Sequence, residues 1–532
     1  MIYVGGNDGM LHGFSAENGQ EKIAYVPKAV IPKLHELTDP AYSHKYYVDA
    51  TPFTGDVNLD ESATTAATTD WRTMLVGALG AGGRGYFVLD VTKPGGSVAN
   101  RFVETNAASL VIADRTLDSA ASPVSTSDEA DMGHIFAAPV VSDVNPYVAT
   151  QITRMNDGRW AVVLGNGYNS VNERPVLLIQ YLDGARELKK IVATGATAPL
   201  SNAETTGNGL SAPRVVDING DGTADVVYAG DLKGNLWKFD VSSASFGDWQ
   251  VAFGGQPLYT AIHGPVATGR RQPITAPPTV KPNDRGVGGM MVAFGTGRHL
   301  TVDDRANGDQ QTIYSVLDNT RYQARNAPDS DKIQVHPGGG TCPGVTCIPA
   351  PAALGSGVAL LQEQTVGATS AGSGSSTGKT FNNVSANAVD WSTQRGWYLN
   401  LPEGRERLLK AMPFYDSSNL LSVFTQVPAT GTSSTSVEEA CVAPVTQERQ
   451  YLTLLNIMDG KPPSIPVMNR NGDAFFNAAD GGVSRVTLNA GATSVVTNLK
   501  TVTVFSGGAH NSSTVMRAMP ETPVRPSWRQ LQ

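Results

Sequence analysis

The sequence has few charged residues and no excess of positive charge. Asp, Glu, Lys and Arg make up 17% of the 532 residues, and the formal net charge at pH 7 is -8. No run of Lys or Arg occurs anywhere in the chain. Proteins that bind nucleic acid through its phosphates carry clustered positive charge. The composition therefore gives no indication that nucleic acid is a partner.

The sequence also lacks a long apolar run. A transmembrane helix needs about 20 consecutive, mainly apolar residues, and no stretch approaches that length. Met1 is followed at once by a β-type sequence, Ile2-Tyr3-Val4, so the sequence pattern predicts a strand there and no signal peptide. We expect either a cytosolic protein or, as the favoured alternative, a piece of a longer exported protein.

Cysteine is scarce, with three residues in the whole chain. Cys342 and Cys347 flank a Pro-Gly turn that could bring the two sulfur atoms together. The pair is compatible with a disulfide in an oxidising compartment or with two free thiols. Zinc binding is disfavoured because no second Cys or His pair lies at ligand spacing. The state of Cys441 stays open.

Helix-forming patterns are rare, whereas turn residues are abundant, with 56 Gly and 32 Pro. One short helix is predicted at residues 29–37. The rest reads as short strands separated by glycine-rich turns, in about seven repeated units. Repeated β-meanders that each bury a face are typical of a β-propeller. We therefore predict an all-β propeller with long loop insertions and very little helix.

The predicted propeller is a single domain over residues 1–532. Residues 366–380 and 428–436 are rich in Ser, Thr, Ala and Gly, which predicts flexible loop insertions. The sixth unit combines the apolar segments 396–401 and 420–425. The last unit combines the segments 451–456 and 499–505.

The most informative stretch is the loop at residues 217–225. Oxygen-bearing side chains recur at alternate positions, and Thr223 can also offer its carbonyl; the candidate ligands are Asp217, Asn219, Asp221, Thr223 and Asp225. A hard cation such as Ca²⁺ takes six to eight oxygen ligands. Gly222 allows the sharp turn that such a loop needs. The pattern predicts a Ca²⁺ site, with Mg²⁺ disfavoured because the site is flexible and all-oxygen.

The flanks of this loop exclude a helical EF-hand. Val215-Val216 and Val226-Val227-Tyr228 are β-branched and aromatic, hence strands, and Tyr228 replaces the closing Glu of an EF-hand. The alternative is an Asp- and Gly-rich hairpin turn that binds no ion. A second loop at residues 469–480 has a related pattern with only two carboxylates, so we expect weak or lost cation binding there.

Two motif matches that would indicate an enzyme are rejected. Residues 80–85 fit G-x-G-x-x-G, but a strand follows where a dinucleotide site needs a helix. Residues 374–378 fit G-x-S-x-G inside a predicted linker, without the strand and helix of a nucleophile elbow. The eight His are scattered. We predict that the protein is not an enzyme and has no catalytic residues.

Several ordered segments resemble the C-terminal propeller domain of the PilY family of exported proteins at the type IV pilus tip. These segments are VGGNDGMLH at 4–12, YYVDATP at 46–52, LGAGGRG at 79–85, GNGYNS at 165–170, GDLKGNLWKFD at 230–240, QPIT at 272–275 and FGTGR at 294–298, together with the loop at 217–225. They lie between residues 4 and 298, and their number and order make the resemblance specific.

The resemblance implies a modified seven-bladed propeller whose surface loop binds Ca²⁺ through the five residues named above. It further implies that the ion regulates pilus extension versus retraction, and so twitching motility and surface adhesion. Implied partners are the major and minor pilins at the pilus tip, with a host or abiotic surface as adhesion target. The implied location is the cell surface, at the pilus tip or the outer membrane. Integrin binding through Arg-Gly-Asp does not carry over, because this chain lacks that motif.

Two other functions are compatible with the pattern. A quinoprotein dehydrogenase-like enzyme is suggested by residues 6–14, which also resemble quinone-propeller repeats, but the adjacent Cys pair of such enzymes is missing. A propeller with purely structural calcium is the second alternative. In that case the ion only fastens a turn.

Overall fold

The computed structural model describes residues 1–60, 70–94, 102–136, 139–143, 148–193, 207–326, 332–339, 348–430, 448–473, 475–491, 493–507 and 512–519. The protein is mostly β, with 40% strand and 8% helix. Cys342, Cys347 and Cys441 lie outside the described residues, so the predictions about them stay untested.

The strands of the first half of the chain are short and close in sequence. In chain order they are β1 (Ile2–Gly5), β2 (Leu11–Phe14), β3 (Glu21–Tyr25), β4 (Phe53–Asn58), β5 (Trp71–Ala78), β6 (Tyr86–Asp90), β7 (Val111–Asp114), β8 (Ile152–Met155), β9 (Trp160–Gly165), β10 (Val176–Tyr181), β11 (Leu188–Val192), β12 (Arg214–Val216), β13 (Thr223–Ala224), β14 (Val226–Gly230), β15 (Asn235–Asp240), β16 (Gln250–Val251), β17 (Tyr259–Thr260), β18 (Ile262–His263) and β19 (Arg270–Arg271).

The second half contains longer gaps between strands that pair. Its strands are β20 (Thr279–Pro282), β21 (Met290–Gly295), β22 (Thr312–Asp318), β23 (Tyr322–Ala324), β24 (Ile333–Val335), β25 (Gly355–Ser356), β26 (Gln362–Gln364), β27 (Val366–Ala371), β28 (Thr380–Val384), β29 (Gly396–Asn400), β30 (Arg407–Leu408), β31 (Leu420–Val427), β32 (Arg449–Asn456), β33 (Arg485–Leu488), β34 (Thr493–Thr497), β35 (Thr501–Ser506) and β36 (Ser512–Arg517).

The described helices are short. The α-helical turns are α1 (Ala107–Leu110) and α2 (Ala252–Gly255), and the 3₁₀ helices are Ile31–Thr38, Gly80–Gly82, Glu104–Asn106, Glu129–Asp131, Phe246–Asp248, Asp303–Arg305, Gly374–Ser376 and Ala478–Asp480. The helix expected at residues 29–37 is therefore present as the 3₁₀ helix Ile31–Thr38, which carries Pro32 in its first turn.

Seven sheets of three or more strands follow one another along the described chain. Their strand orders are β1-β2-β3, β4-β5-β6-β7, β11-β10-β9-β8-β13, β12-β14-β15-β17-β25, β20-β21-β22-β29-β26, β27-β28-β33-β32-β31-β30 and β34-β35-β36. We number these sheets 1 to 7. Most neighbouring strands are antiparallel meanders, as a propeller requires. The prediction of an all-β, seven-bladed propeller is confirmed.

The sheets are held together face to face by apolar clusters. Between sheets 3 and 4, for example, Val163 and Leu177 pack with Val227, Trp237 and Phe239. Comparable clusters join each successive pair of sheets from 1 to 7 in the described residues. An internal sheet thus buries both of its faces, so its strands are continuous apolar runs instead of alternating ones.

Residues 366–380 differ from the sequence prediction. The sequence predicts a flexible insertion there, but the segment contains strand β27, which pairs antiparallel with β28. It also contains the 3₁₀ helix Gly374–Ser376, where the Ser376 hydroxyl donates to the Asn469 carbonyl at 2.6 Å. The strand pairing and this hydrogen bond therefore give an ordered structure to a segment whose composition is typical of flexible linkers. The other predicted insertion, at 428–436, lies outside the described residues from 431 onward.

Two strand assignments in the second half are also wrong. Strand β29 pairs with β22 of sheet 5, whereas the sequence predicts that it shares a unit with the segment at 420–425. Strand β32 pairs with β31 in sheet 6, while β35 belongs to sheet 7. The insertions between these partners separate them by tens of residues, so proximity along the chain does not indicate which strands pair.

Replacement of Leu177 tests whether packing between sheets carries the stability. Leu177 is fully buried between sheets 3 and 4. Leu177→Ala should lower the free energy of unfolding by about 2–5 kcal/mol through lost burial and a cavity. Denaturant unfolding measures the loss. The matched control is Leu499→Ala, because Leu499 is 84% exposed and should change stability by less than about 0.5 kcal/mol. Equal losses in both variants would contradict this account of the core.

Candidate metal site at the rim of the central channel

A large cavity lies where the first strands of four consecutive sheets meet. It has a volume of about 1110 Å³ and is lined by residues of β4, β8, β12 and β20. In a propeller the first strand of each blade faces the central channel. This cavity is therefore the channel of the propeller, and residues 217, 218, 222 and 223 contribute to its wall.

The loop at 217–225 connects two strands of sheet 4, as the sequence predicts. Strands β12 and β14 are antiparallel, with Val216 opposite Val226. Before β14 begins, β13 adds in parallel to β8 of sheet 3, with Thr223 opposite Arg154. The loop thus spans the junction between two blades beside the channel.

The first half of the loop is folded around the Asp217 carboxylate. Its oxygens accept hydrogen bonds from the backbone amides of Gly220 at 2.6 Å and Gly222 at 2.8 Å. Gly220 and Gly222 have φ values of 79° and 84°, a region that side chains with a Cβ rarely adopt. The glycines therefore allow the tight turn that the sequence indicated.

The second half of the loop is organised around Asp221. One carboxylate oxygen accepts from the Thr223 amide at 2.8 Å and the other from the Asn219 side chain at 3.1 Å. The second oxygen also lies 3.4 Å from the Lys332 ammonium. Partial burial opposes ionisation, but the Thr223 and Asn219 hydrogen bonds and the Lys332 charge hold the pKa of Asp221 below its usual value.

Asp225 closes the loop from inside the protein. It has no exposed surface and accepts from the Ile218 amide at 2.8 Å and from the Asn156 side chain at 3.1 Å. Burial raises the pKa of Asp225 to about 6, and the charges of Asp217 and Asp221 act in the same direction. A cation placed among these three carboxylates would favour the ionised form of Asp225.

The donor chemistry of the loop fits a hard divalent cation. Every candidate ligand offers oxygen, and a carboxylate has about four lone-pair sites, so the hydrogen bonds to Asp217 and Asp221 leave acceptor capacity. In this conformation the carboxylates face loop amides. Within the described residues, no three or more His, Cys, Asp or Glu side chains lie close enough together to hold a metal ion. The five predicted ligands lie on one continuous loop, and ligation would require local adjustment of their side chains.

The loop at 469–480 shares the backbone pattern of the first loop. The Gly472 amide donates to Asn469 at 2.6 Å, and the Asp473 amide donates to Asn471 at 3.1 Å. Buried Asp480 accepts from the Arg470 amide at 2.9 Å, as Asp225 does from Ile218. Ala474 lies outside the described residues. With two carboxylates against three, the expectation of weak or lost cation binding stays a prediction.

Sequence reasoning missed two residues that contact the loop. Asn156 follows β8 in sheet 3 and is 67 positions from Thr223 in the sequence. The Thr223 hydroxyl donates a hydrogen bond to the Asn156 side-chain oxygen at 3.1 Å. Lys332 is 111 positions from Asp221. Neither residue can be recognised from the sequence around it. The stacking of the sheets brings Asn156 to the loop, and the path of an insertion brings Lys332 there.

The glycine-rich match at residues 80–85 behaves as the sequence predicts. Gly80–Gly82 forms a 3₁₀ turn, and strand β6 begins at Tyr86. A dinucleotide site would need a helix at this position.

The propeller fold agrees with comparisons to known proteins. The family described as the PilY1 beta-propeller domain matches residues 1–331, which is more than half of the chain. The chain belongs to the PilY1 beta-propeller family.

Two curated relatives illustrate the relationship. The type IV pilus biogenesis factor PilY1 of Pseudomonas aeruginosa is 34% identical over 429 residues, covering 75% of this chain and 30% of that protein. A PilY1 homolog from Xylella fastidiosa is 36% identical over 324 residues, covering 60% of this chain and 19% of that protein. The chain therefore spans less than a third of the length of these members of the PilY1 family.

A solved structure extends the comparison to nearly the whole chain. The crystal structure of the Pseudomonas aeruginosa PilY1 C-terminal domain superposes with a TM-score of 0.65 at 26% identity, covering 98% of this chain and 93% of that one. Among the residues described here, no helix has both the length and the apolar character needed to cross a membrane.

Replacement of Asn156 tests how the loop is fixed to the neighbouring blade. Its amide donates to the Asp225 carboxylate and to the Ala224 carbonyl, so Asn156→Ala leaves buried polar groups without partners. We expect a loss of about 1–3 kcal/mol in the free energy of unfolding, measured by denaturant titration without added metal. Asn326→Ala is the control, because Asn326 is exposed. An Asn156→Ala protein as stable as this control would contradict the assigned role.

Proposed function

We propose that this chain is the calcium-binding propeller of an exported type IV pilus biogenesis factor. The proposal rests on membership of the PilY1 beta-propeller family and on the names of its curated relatives. The observation that carries the calcium part is the single loop of oxygen donors closed by buried Asp225. Residues 1–532 act as one propeller domain in this proposal.

Calcium would be held by the five loop residues predicted from the sequence, Asp217, Asn219, Asp221, Thr223 and Asp225. The ion supplies two positive charges where three carboxylates are crowded together. An all-oxygen, flexible loop favours Ca²⁺ over the smaller Mg²⁺, which demands near-ideal octahedral geometry. Without a bidentate Glu, we expect a dissociation constant on the order of 10⁻⁶ to 10⁻⁴ M.

The function of the ion would be to fix the shape of the loop at the channel rim. We propose that major and minor pilins read this surface at the pilus tip or outer membrane. Calcium would then support pilus extension over retraction, and with it twitching motility and adhesion to host or abiotic surfaces. The role is non-enzymatic, in line with the name of the relatives as biogenesis factors.

A structural role for calcium is the second candidate function. The pairing of β13 with β8 and the hydrogen bonds of Asn156 join the loop to the neighbouring blade. An ion at this junction would strengthen the contact between sheets 3 and 4 whether or not a pilin reads it.

Replacement of Asp221 tests the calcium proposal. Asp221→Ala should abolish calcium binding measured by isothermal titration calorimetry, because a carboxylate at the centre of the loop is lost. Cells whose full-length protein carries this change should twitch less on calcium-containing medium. The control is Asp473→Ala, which removes the residue at the same position of the second loop and should keep both properties. Normal twitching and unchanged binding in Asp221→Ala would refute the proposal.

Thermal melting with and without chelator separates the two roles. If calcium regulates a surface, the chelated protein should stay folded and melt only a few degrees lower. A ligand that binds only the folded protein raises its free energy of unfolding, by about 2.7 kcal/mol at a ligand concentration 100 times Kd. Unfolding of the whole domain on chelation at room temperature would instead favour the structural role.

A further inference from the structure

Lys332 places a positive charge beside the candidate calcium loop. Its ammonium lies 3.4 Å from a carboxylate oxygen of Asp221, and the two side chains are 18% and 25% exposed. The pair is thus partly exposed, and water screens its charges less than those of a fully exposed pair. A positively charged side chain that is distant in the sequence therefore contacts Asp221, one of the predicted calcium ligands.

The position of Lys332 is set by a separate hairpin. Among the described strands, β23 and β24 pair only with each other, with Tyr322 opposite Val335 and Ala324 opposite Ile333. Lys332 directly precedes Ile333, whose side chain is 9% exposed. The Arg325 side chain donates to the Ile333 carbonyl at 2.9 Å. The hairpin therefore fixes the backbone from which Lys332 reaches the loop.

The other end of the hairpin is anchored in the core. The Lys238 ammonium lies 5.4 Å from the centre of the Tyr322 ring and 2.6 Å from Asp318, with both charged side chains 1% exposed. A buried ion pair of this kind is costly to break. Because Tyr322 pairs with Val335 and Ala324 with Ile333, Lys332 lies at the end of the hairpin opposite Tyr322.

We propose that the Lys332 ammonium competes with the cation for Asp221, so that calcium binding releases the Lys332 end of the hairpin from the loop. This inference rests on the calcium proposal above. A calcium ion carries twice the charge of the ammonium and contacts several oxygens, whereas Lys332 contacts the loop at Asp221. Two cations at this separation repel each other, which makes occupancy of the loop and attachment of the hairpin mutually unfavourable.

Competition would also make the hairpin, which lies outside the loop, respond to calcium binding. If calcium weakens the contact of Lys332, then attachment of Lys332 must weaken calcium binding by the same factor. The hairpin then changes its attachment with calcium concentration while Tyr322 keeps it on the propeller. A surface next to the channel rim would thus differ between the calcium-free and calcium-bound protein.

Calcium titration of the full chain tests this competition. Lys332→Met should bind calcium about fivefold more tightly than wild type, the upper range for one partly exposed ion pair. Lys332→Arg keeps the charge and should stay close to wild type. Lys500→Met is the control for net charge, because Lys500 is exposed and lies on the turn before β35, and it should not change the affinity.

Hydrogen exchange of the hairpin amides supplies the second readout. In wild type, calcium should increase exchange at Ile333 and Gln334, next to Lys332, and Lys332→Met without calcium should already exchange at the faster rate. Equal calcium affinities in all variants, with hairpin exchange unaffected by calcium, would overturn the role of Lys332 and leave the calcium site intact. Absence of calcium binding by every variant including wild type would overturn the calcium proposal and this inference together.

Discussion

The burial of both faces of each internal sheet is the constraint on which the rest of the molecule depends. Apolar side chains from neighbouring sheets pack in clusters that run from sheet 1 to sheet 7. This stacking turns the first strands of sheets 2 to 5 toward one shared channel. It also places the turn after β8 against the loop after β12. The candidate site is therefore a product of the stacking and not of the loop alone.

The electrostatics of the loop follow from that placement. Asp225 is carried into the interior by strand β14 and loses its hydration, so the pKa of its carboxyl rises to about 6. Asp217 and Asp221 stay near the surface, where backbone amides, Asn219 and Lys332 compensate their charge. A buried carboxylate beside two others creates a local demand for positive charge. Lys332 meets part of this demand, and a divalent ion would meet more of it.

Much of the fold could be predicted from the sequence where hairpin partners are close together. Strands β5 and β6, β9 and β10, and β14 and β15 are apolar runs separated by glycine turns, and each pair forms as expected. Where an insertion separates two paired strands, as for β22 and β29, the local pattern predicted each strand but not the strand with which it pairs. The five candidate ligands of the loop were chosen from their spacing, and their binding of calcium stays a prediction. Asn156 and Lys332 could not, because their contacts depend on tertiary packing.

Direct location of the ion tests the central claim most closely. The protein would be crystallised with calcium and the anomalous difference density measured at long wavelength. The account predicts one strong peak in the loop at 217–225, within about 2.3–2.6 Å of oxygens from Asp217, Asp221 and Asp225. An ordered loop that keeps its amide hydrogen bonds and shows no peak in saturating calcium would contradict it.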